Sequence, residues 1–114
     1  MKINIRKAQL GDMEAIHSLV RELAAYERGL DKVSTTPGSY IADFEKGAFD
    51  AFVAEVGGEI VGMALYCGMF STWRGRMLYL EDFIVRESMR GAGIGKMLFE
   101  AFIEEARRQE VVLV

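Results

Sequence analysis

Cysteine, proline, histidine and tryptophan each occur once in these 114 residues, and each scarcity removes a class of protein. A lone Cys67 cannot close an internal disulfide or build a cysteine-rich metal site, so a reducing compartment is expected. A lone His17, off the centre of the apolar stripe around it and with no second histidine to join it, reads as structural, and no metal is predicted. No segment approaches roughly 18 uninterrupted apolar residues, so no membrane span is predicted. The opening Met1-Lys2-Ile3-Asn4-Ile5-Arg6 alternates apolar and polar residues and lacks the core of a signal peptide, which makes the cytoplasm the expected location. Neither repeats, low-complexity stretches nor an interdomain linker interrupt the chain, and residues 1–114 are expected to form one domain. Fourteen basic and seventeen acidic side chains leave a net charge of −3. That balance argues against nucleic acid, which needs a basic patch, and suits a cationic or neutral substrate.

Apolar side chains are plentiful, at 51% of the sequence. That content fits either a well-packed small core or a surface buried against a second chain. Ile3 and Ile5 predict a first strand ending near Lys7-Ala8. Gly11-Asp12 opens a helix, with Asp12 expected as its N-cap; Ile16, Leu19, Val20 and Leu23 form its buried stripe, and Gly29 ends it. Thr36-Pro37 starts a second, short helix with Tyr40, Ile41 and Phe44 on its apolar side. Residues 51–56 and 59–66, joined by Gly57-Gly58, read as a hairpin. A loop with Trp73, Arg74 and Gly75 leads to a strand from Met77 to Val85. A last helix begins near Gly93, with Ile94, Met97, Leu98, Ala101, Phe102 and Ala106 on one face. Val111 to Val114 then reads as the start of a buried strand.

The segment richest in chemistry is Arg90-Gly91-Ala92-Gly93-Ile94-Gly95-Lys96, between a strand and an amphipathic helix. Glycines let the backbone approach a bulky anion and turn successive N–H groups toward it. The helix dipole adds about half a positive charge at the same place. Arg90 either adds a charge-assisted contact or steadies the loop. A Walker loop is excluded because Met97 follows Gly95-Lys96 where serine or threonine is required. A dinucleotide fingerprint would sit on the first strand, whereas this motif lies late, after a hairpin.

Arg90, Gly93 and Gly95 match the pyrophosphate motif of the GNAT acetyltransferases, Gln/Arg-x-x-Gly-x-Gly/Ala. The strand Tyr79-Leu80-Glu81-Asp82-Phe83-Ile84-Val85 resembles that of the diamine (spermidine/spermine) acetyltransferase branch. So do Ile5-Arg6-Lys7-Ala8, Glu22-Leu23-Ala24-Ala25-Tyr26-Glu27 and Trp73, and the likeness spans nearly the whole chain. The resemblance implies an α/β (α+β) fold with a mixed, mostly antiparallel sheet flanked by helices. It implies acetyl-coenzyme A as cosubstrate and a small primary amine, polyamine-like or lysine-like, as acceptor. Phe83, Ile84 and Val85 would pair with the pantetheine arm, and Gly91, Ala92, Gly93, Ile94, Gly95 and Lys96, with Arg90, would hold the pyrophosphate. Glu81 would accept the amine's proton, and Tyr26, Glu27, Glu81 and Asp82 would bind the acceptor. Because adjacent strand residues point to opposite faces, Glu81 and Asp82 are expected to play different roles. Cys67 has no activating partner, so direct attack by the amine is expected.

Similar enzymes continue past the last strand with a further helix and strands, including an Asn-rich turn and a tyrosine general acid. None of Tyr26, Tyr40, Tyr66 and Tyr79 matches that tyrosine, so the chain is expected to be a C-terminally shortened acetyltransferase. It could be a fragment, be completed by a second copy through strand exchange in a homodimer, or be a cofactor-binding remnant. The alternative to an enzyme is thus a non-catalytic module that binds coenzyme A or assembles with another chain.

Overall fold

The computed structural model describes residues 1–113. Strand β1 (Asn4–Lys7) leads into helix α1 (Met13–Tyr26), followed by α2 (Pro37–Glu45), β2 (Asp50–Val56), β3 (Glu59–Ser71), β4 (Gly75–Val85), α3 (Ile94–Gln109) and β5 (Val112–Leu113). The strands form one sheet in the order β1-β2-β3-β4-β5. The first four pair antiparallel, and β5 runs parallel to β4 through Met77–Val112 and Leu78–Leu113. This is the mixed, mostly antiparallel sheet with flanking helices that the sequence leads one to expect. The last position of the expected final strand, Val114, lies outside the described residues.

Alternation along the strands divides the core between the two faces. Met13, Ile16 and Leu19 of α1 pack with Val53, Met63, Leu65 and Ile84 on one face, joined by Tyr40 and Phe44 of α2. On the other, Ile94 and Leu98 of α3 meet Ala54, Val61 and Ala64, while Phe102 and Ala106 meet Tyr66 and Leu78. Each large apolar side chain buried this way contributes about 1.5–3 kcal/mol. The stripe of α3 therefore outweighs the absence of a side-chain N-cap on that helix, a feature worth about 1 kcal/mol. Glycine is required at Gly62, where an added Cβ would lie 3.0 Å from the carbonyl of Ile84 and 3.3 Å from Leu98. Larger residues would push α3 off the sheet.

Several local expectations are met, and several are replaced. Gly57 and Gly58 both adopt positive φ, 59° and 81°, in the tight turn between β2 and β3. Thr36 caps α2 by accepting from the N–H of Ser39, with Pro37 in the first turn. Asp12 does not cap α1 with its side chain; its carboxylate accepts from Arg6 and from the N–H of Gln9. An arginine fork offers it a stronger, charge-assisted partner than a helix N–H does. The left-handed residue that ends α1 is Arg28, at φ 59°, and Gly29 follows it. On α3, Met97 is exposed and Glu105 takes the buried place, at 4% exposure. Burial opposes ionisation of Glu105, but hydrogen bonds from Gln109 and Arg108 and the charge of Lys7 outweigh it and lower its pKa. Among the described residues no helix is long and apolar enough to cross a membrane.

Candidate functional site

After β4 the chain makes a short 3-10 turn through residues 87–89 and reaches the glycine loop. Gly91 and Gly93 hold φ of 87° and 82°, a region that costs an L-residue about 1–2 kcal/mol. Gly93 is the residue before α3, and no side chain accepts from the N–H groups of the helix's first turn. A Cβ built on Gly91 or Gly93 meets nothing within 4 Å, so the glycines answer to backbone conformation and the space before them is open. Arg90 folds back, its Nε donating to the carbonyl of Val85 at 3.2 Å; it steadies the loop while staying exposed at the rim. Phe83, Ile84, Val85, Arg90, Gly91, Gly93 and Gly95 help to line a cavity of about 420 Å³. Free N–H groups at a helix N-terminus, beside an open cavity, fit a pyrophosphate.

The outer edge of β4 completes this arrangement. The N–H of Arg86 donates to the carbonyl of Val61 on β3, so antiparallel alternation turns the amides of Phe83 and Val85 to the opposite edge. Among the described residues, strand β5 pairs with β4 at Met77 and Leu78. Beyond them, among the described residues, that edge has no strand partner. Amide groups there need hydrogen-bond partners, and an arm carrying amides of its own can supply them.

The carboxylates lie farther down β4. In its register with β3, Leu65 faces Asp82 while Tyr66 faces Leu80, so Glu81 is an extra, bulged residue. A bulge bends the strand and interrupts strict alternation, which corrects the expectation that Glu81 and Asp82 simply point to opposite faces. Glu81 is exposed and Asp82 half-buried. Burial raises the pKa of Asp82, and the negative charges of Glu81 and Glu27 raise it further. Tyr40 of α2 belongs to the same cluster, its phenol pKa raised by burial and by the charges of Asp82 and Glu81. Its ring stands edge-on to His17 at 4.9 Å, and His17 Nε2 lies 2.8 Å from the carbonyl of Thr35. The charges of Glu27 and Glu81 thus both reach Asp82. Tyr40 was readable only as part of an apolar stripe.

Tyr26 is the last residue of α1. It is 81% exposed and lines a cavity of about 180 Å³ with Leu23, Val85 and Arg90. Trp73, 94% exposed, projects from the β3–β4 turn; at about 3.3 Å per strand residue it is about 20 Å along the strand from Glu81. Cys67 is half-buried beside Tyr66 and Phe49. Among the described residues no group of His, Cys, Asp and Glu could hold a metal ion.

The sequence profile of the acetyltransferase (GNAT) family matches residues 14–114. The chain belongs to the GNAT family. Its sequence is 38% identical over 114 residues to thialysine N-epsilon-acetyltransferase of Bos taurus, covering 91% of this chain and 67% of the relative. It is 37% identical over 100 residues to the spermidine/spermine N(1)-acetyltransferase-like protein 1 of Homo sapiens, covering 80% of this chain and 14% of that one. The GNAT chain therefore spans about two thirds of the length of the bovine relative. A predicted acetyltransferase of Clostridium acetobutylicum, solved with acetyl-CoA, superposes with a TM-score of 0.76 at 17% identity. That match covers 99% of this chain and 79% of the other, and it establishes the shared GNAT fold.

Proposed function

We propose that this GNAT chain transfers the acetyl group of acetyl-CoA to a primary amine of a small, polyamine-like or lysine-like molecule, by direct attack. The observation that carries the reading is the junction on one strand. The end of β4 opens into a glycine-loop cavity, and its middle carries a carboxylate cluster in which Glu27 and Glu81 act on Asp82. Named relatives in the same family include acetyltransferases of thialysine and of spermidine/spermine type.

Acetyl-CoA supplies an activated acetyl thioester. The N–H groups from Gly91 to Lys96 neutralise its pyrophosphate, and the amides of Phe83 and Val85 align its arm along β4. Asp82 and Glu27 attract the acceptor's cation. An ammonium ion has no lone pair, so it must lose a proton before its nitrogen can attack; Glu81, the exposed member of the pair, accepts that proton through water. As the C–N bond forms the C–S bond breaks; the nitrogen gives its second proton to solvent and the sulfur takes one up, leaving an amide and the free thiol of coenzyme A.

A cytoplasmic homodimer is the setting proposed for this activity. A single thiol and the exposed apolar side chains of Phe70, Val112 and Leu113 beside the sheet edge support that setting. The test is release of coenzyme A thiol from acetyl-CoA by the purified chain, with 1,4-diaminobutane, spermidine, lysine and thialysine as acceptors. Amine-dependent thiol release supports the reading. Saturable acetyl-CoA binding with no release on any amine would instead favour a binding or assembly module without catalysis.

A further inference from the structure

Apolar burial fades along α1. Leu19 is the last of its residues to be buried, and from Val20 to Tyr26 every position is half-buried or exposed. Yet this stretch forms a wall of the glycine-loop cavity, where Leu23 joins Phe83, Val85 and Ile94. Its tether is Arg86, the residue that follows β4. The guanidinium forks: Nη2 donates to Glu22 on α1 at 2.9 Å, and Nη1 to Glu59, at the start of β3, at 2.5 Å. Among the described residues, the bond to Glu22 is the one side-chain hydrogen bond or ion pair joining residues 20–26 to another element. The backbone of Arg86 is fixed as well. Its N–H donates to the carbonyl of Val61, and its carbonyl accepts from the N–H of Met89, in the turn that leads to Arg90 and Gly91. One residue thus holds the sheet, the helix wall and the root of the glycine loop.

We propose that Arg86 is a positioning residue for the acetyl-CoA groove: by holding Glu22 it keeps the α1 wall at Leu23 against the cavity before α3. The proposal rests on the reading of that cavity as the acetyl-CoA site. A segment with few buried apolar contacts opens at low free-energy cost, so even a tether worth about 0.2–1 kcal/mol decides how often the wall is in place. Affinity falls in proportion to the fraction of molecules with the wall in place. The two carboxylates on Arg86 separate this effect from charge. Glu22→Gln cuts the link to α1 and also removes a negative charge near an anionic cofactor. Coulomb attraction alone would then leave acetyl-CoA bound as tightly or more tightly, whereas loss of the wall weakens it. Glu59→Gln takes the same charge from the same arginine and leaves α1 tied.

The test is calorimetric titration of wild type, Glu22→Gln and Glu59→Gln with acetyl-CoA, each below its Tm, paired with amide hydrogen exchange across residues 20–26. Glu22→Gln should bind acetyl-CoA about fivefold more weakly, the size that one lost ion pair supports, and exchange faster in that stretch. Glu59→Gln should stay within about twofold of wild type in both readings. An unchanged or tighter Kd in folded Glu22→Gln overturns the proposal, and so does an equal weakening in Glu59→Gln. A folded wild-type chain that binds no acetyl-CoA overturns the reading of the cavity itself. Arg86 is then a tether of α1 alone, and hydrogen exchange still reports that tether.

Discussion

The two halves of the site are built from different materials. At the far end of β4 the contacts are backbone, from the positive φ angles of Gly91 and Gly93, the open first turn of α3 and the edge of Phe83 and Val85, which among the described residues has no strand partner. In the middle of β4 the contacts are side chains: Glu81 on a bulge, with Asp82, Glu27 and Tyr40 drawn in from three elements. Backbone groups cannot be exchanged by mutation, whereas side chains can. On the proposed function, the glycine-loop end would therefore suit a constant ligand, and the middle an acceptor whose identity is set by a few substitutions.

Breaking the side-chain half should have the largest kinetic effect. Glu81→Gln removes a base while keeping shape, and steady-state assays should show kcat/KM falling by about 10²–10⁴ with the acetyl-CoA Kd unchanged. A change in Kd as large as that in kcat/KM would erase the division between the halves.

Asp82 sharpens the same contrast at smaller amplitude. Its pKa is raised by burial and by the charges of Glu81 and Glu27, so it becomes neutral on acidification sooner than an ordinary carboxyl does. The amine KM should therefore rise on acidification at a pH above the usual carboxylate range. Asp82→Asn should abolish that rise and weaken amine binding by about tenfold, as for the loss of one charge-assisted hydrogen bond. Linkage adds a sign for stability. A raised acid pKa means that the folded chain holds its proton where the unfolded chain has lost it, so stability falls as pH climbs through that window. Thermal melts of Asp82→Asn at neutral pH should show an unchanged or higher Tm.

Glu105 lies in neither half and serves as the control. Its pKa is lowered, so the stability it contributes is present above its ordinary pKa and lost as pH falls through the lowered folded value. Glu105→Gln should cost about 1–3 kcal/mol in urea unfolding at pH 7, with the difference shrinking in acid. The acetyl-CoA Kd and the amine KM should both hold.

What could be read in the sequence follows from the same division. Gly57, Gly58, Gly91 and Gly93 were legible because positive φ, which all four adopt, favours glycine for reasons local to the residue. Thr36-Pro37 was legible because a cap acts within one turn. The bulge at Glu81 was not, since register depends on the partner strand. Tyr40 looked like one more apolar position on α2, and only tertiary packing sets it beside Asp82. Met97, expected on the buried face, is exposed, and Glu105, for which no place was expected, is buried where Lys7 from β1 reaches it at 3.6 Å, with Arg108 and Gln109 beside it on α3. These partners offset a burial cost that hydrophobic periodicity alone treats as prohibitive.

If backbone geometry at the start of α3 holds acetyl-CoA, calorimetric titration of wild type and Gly93→Val will show it. Valine at a φ of 82° must distort the loop, and circular dichroism checks that the rest of the fold survives. Saturable binding by wild type is expected, weakened about 100-fold or more in the variant, since a few lost phosphate contacts are each worth about 1–3 kcal/mol. Equal affinity in the two folded proteins, or no saturable binding by wild type, would contradict it.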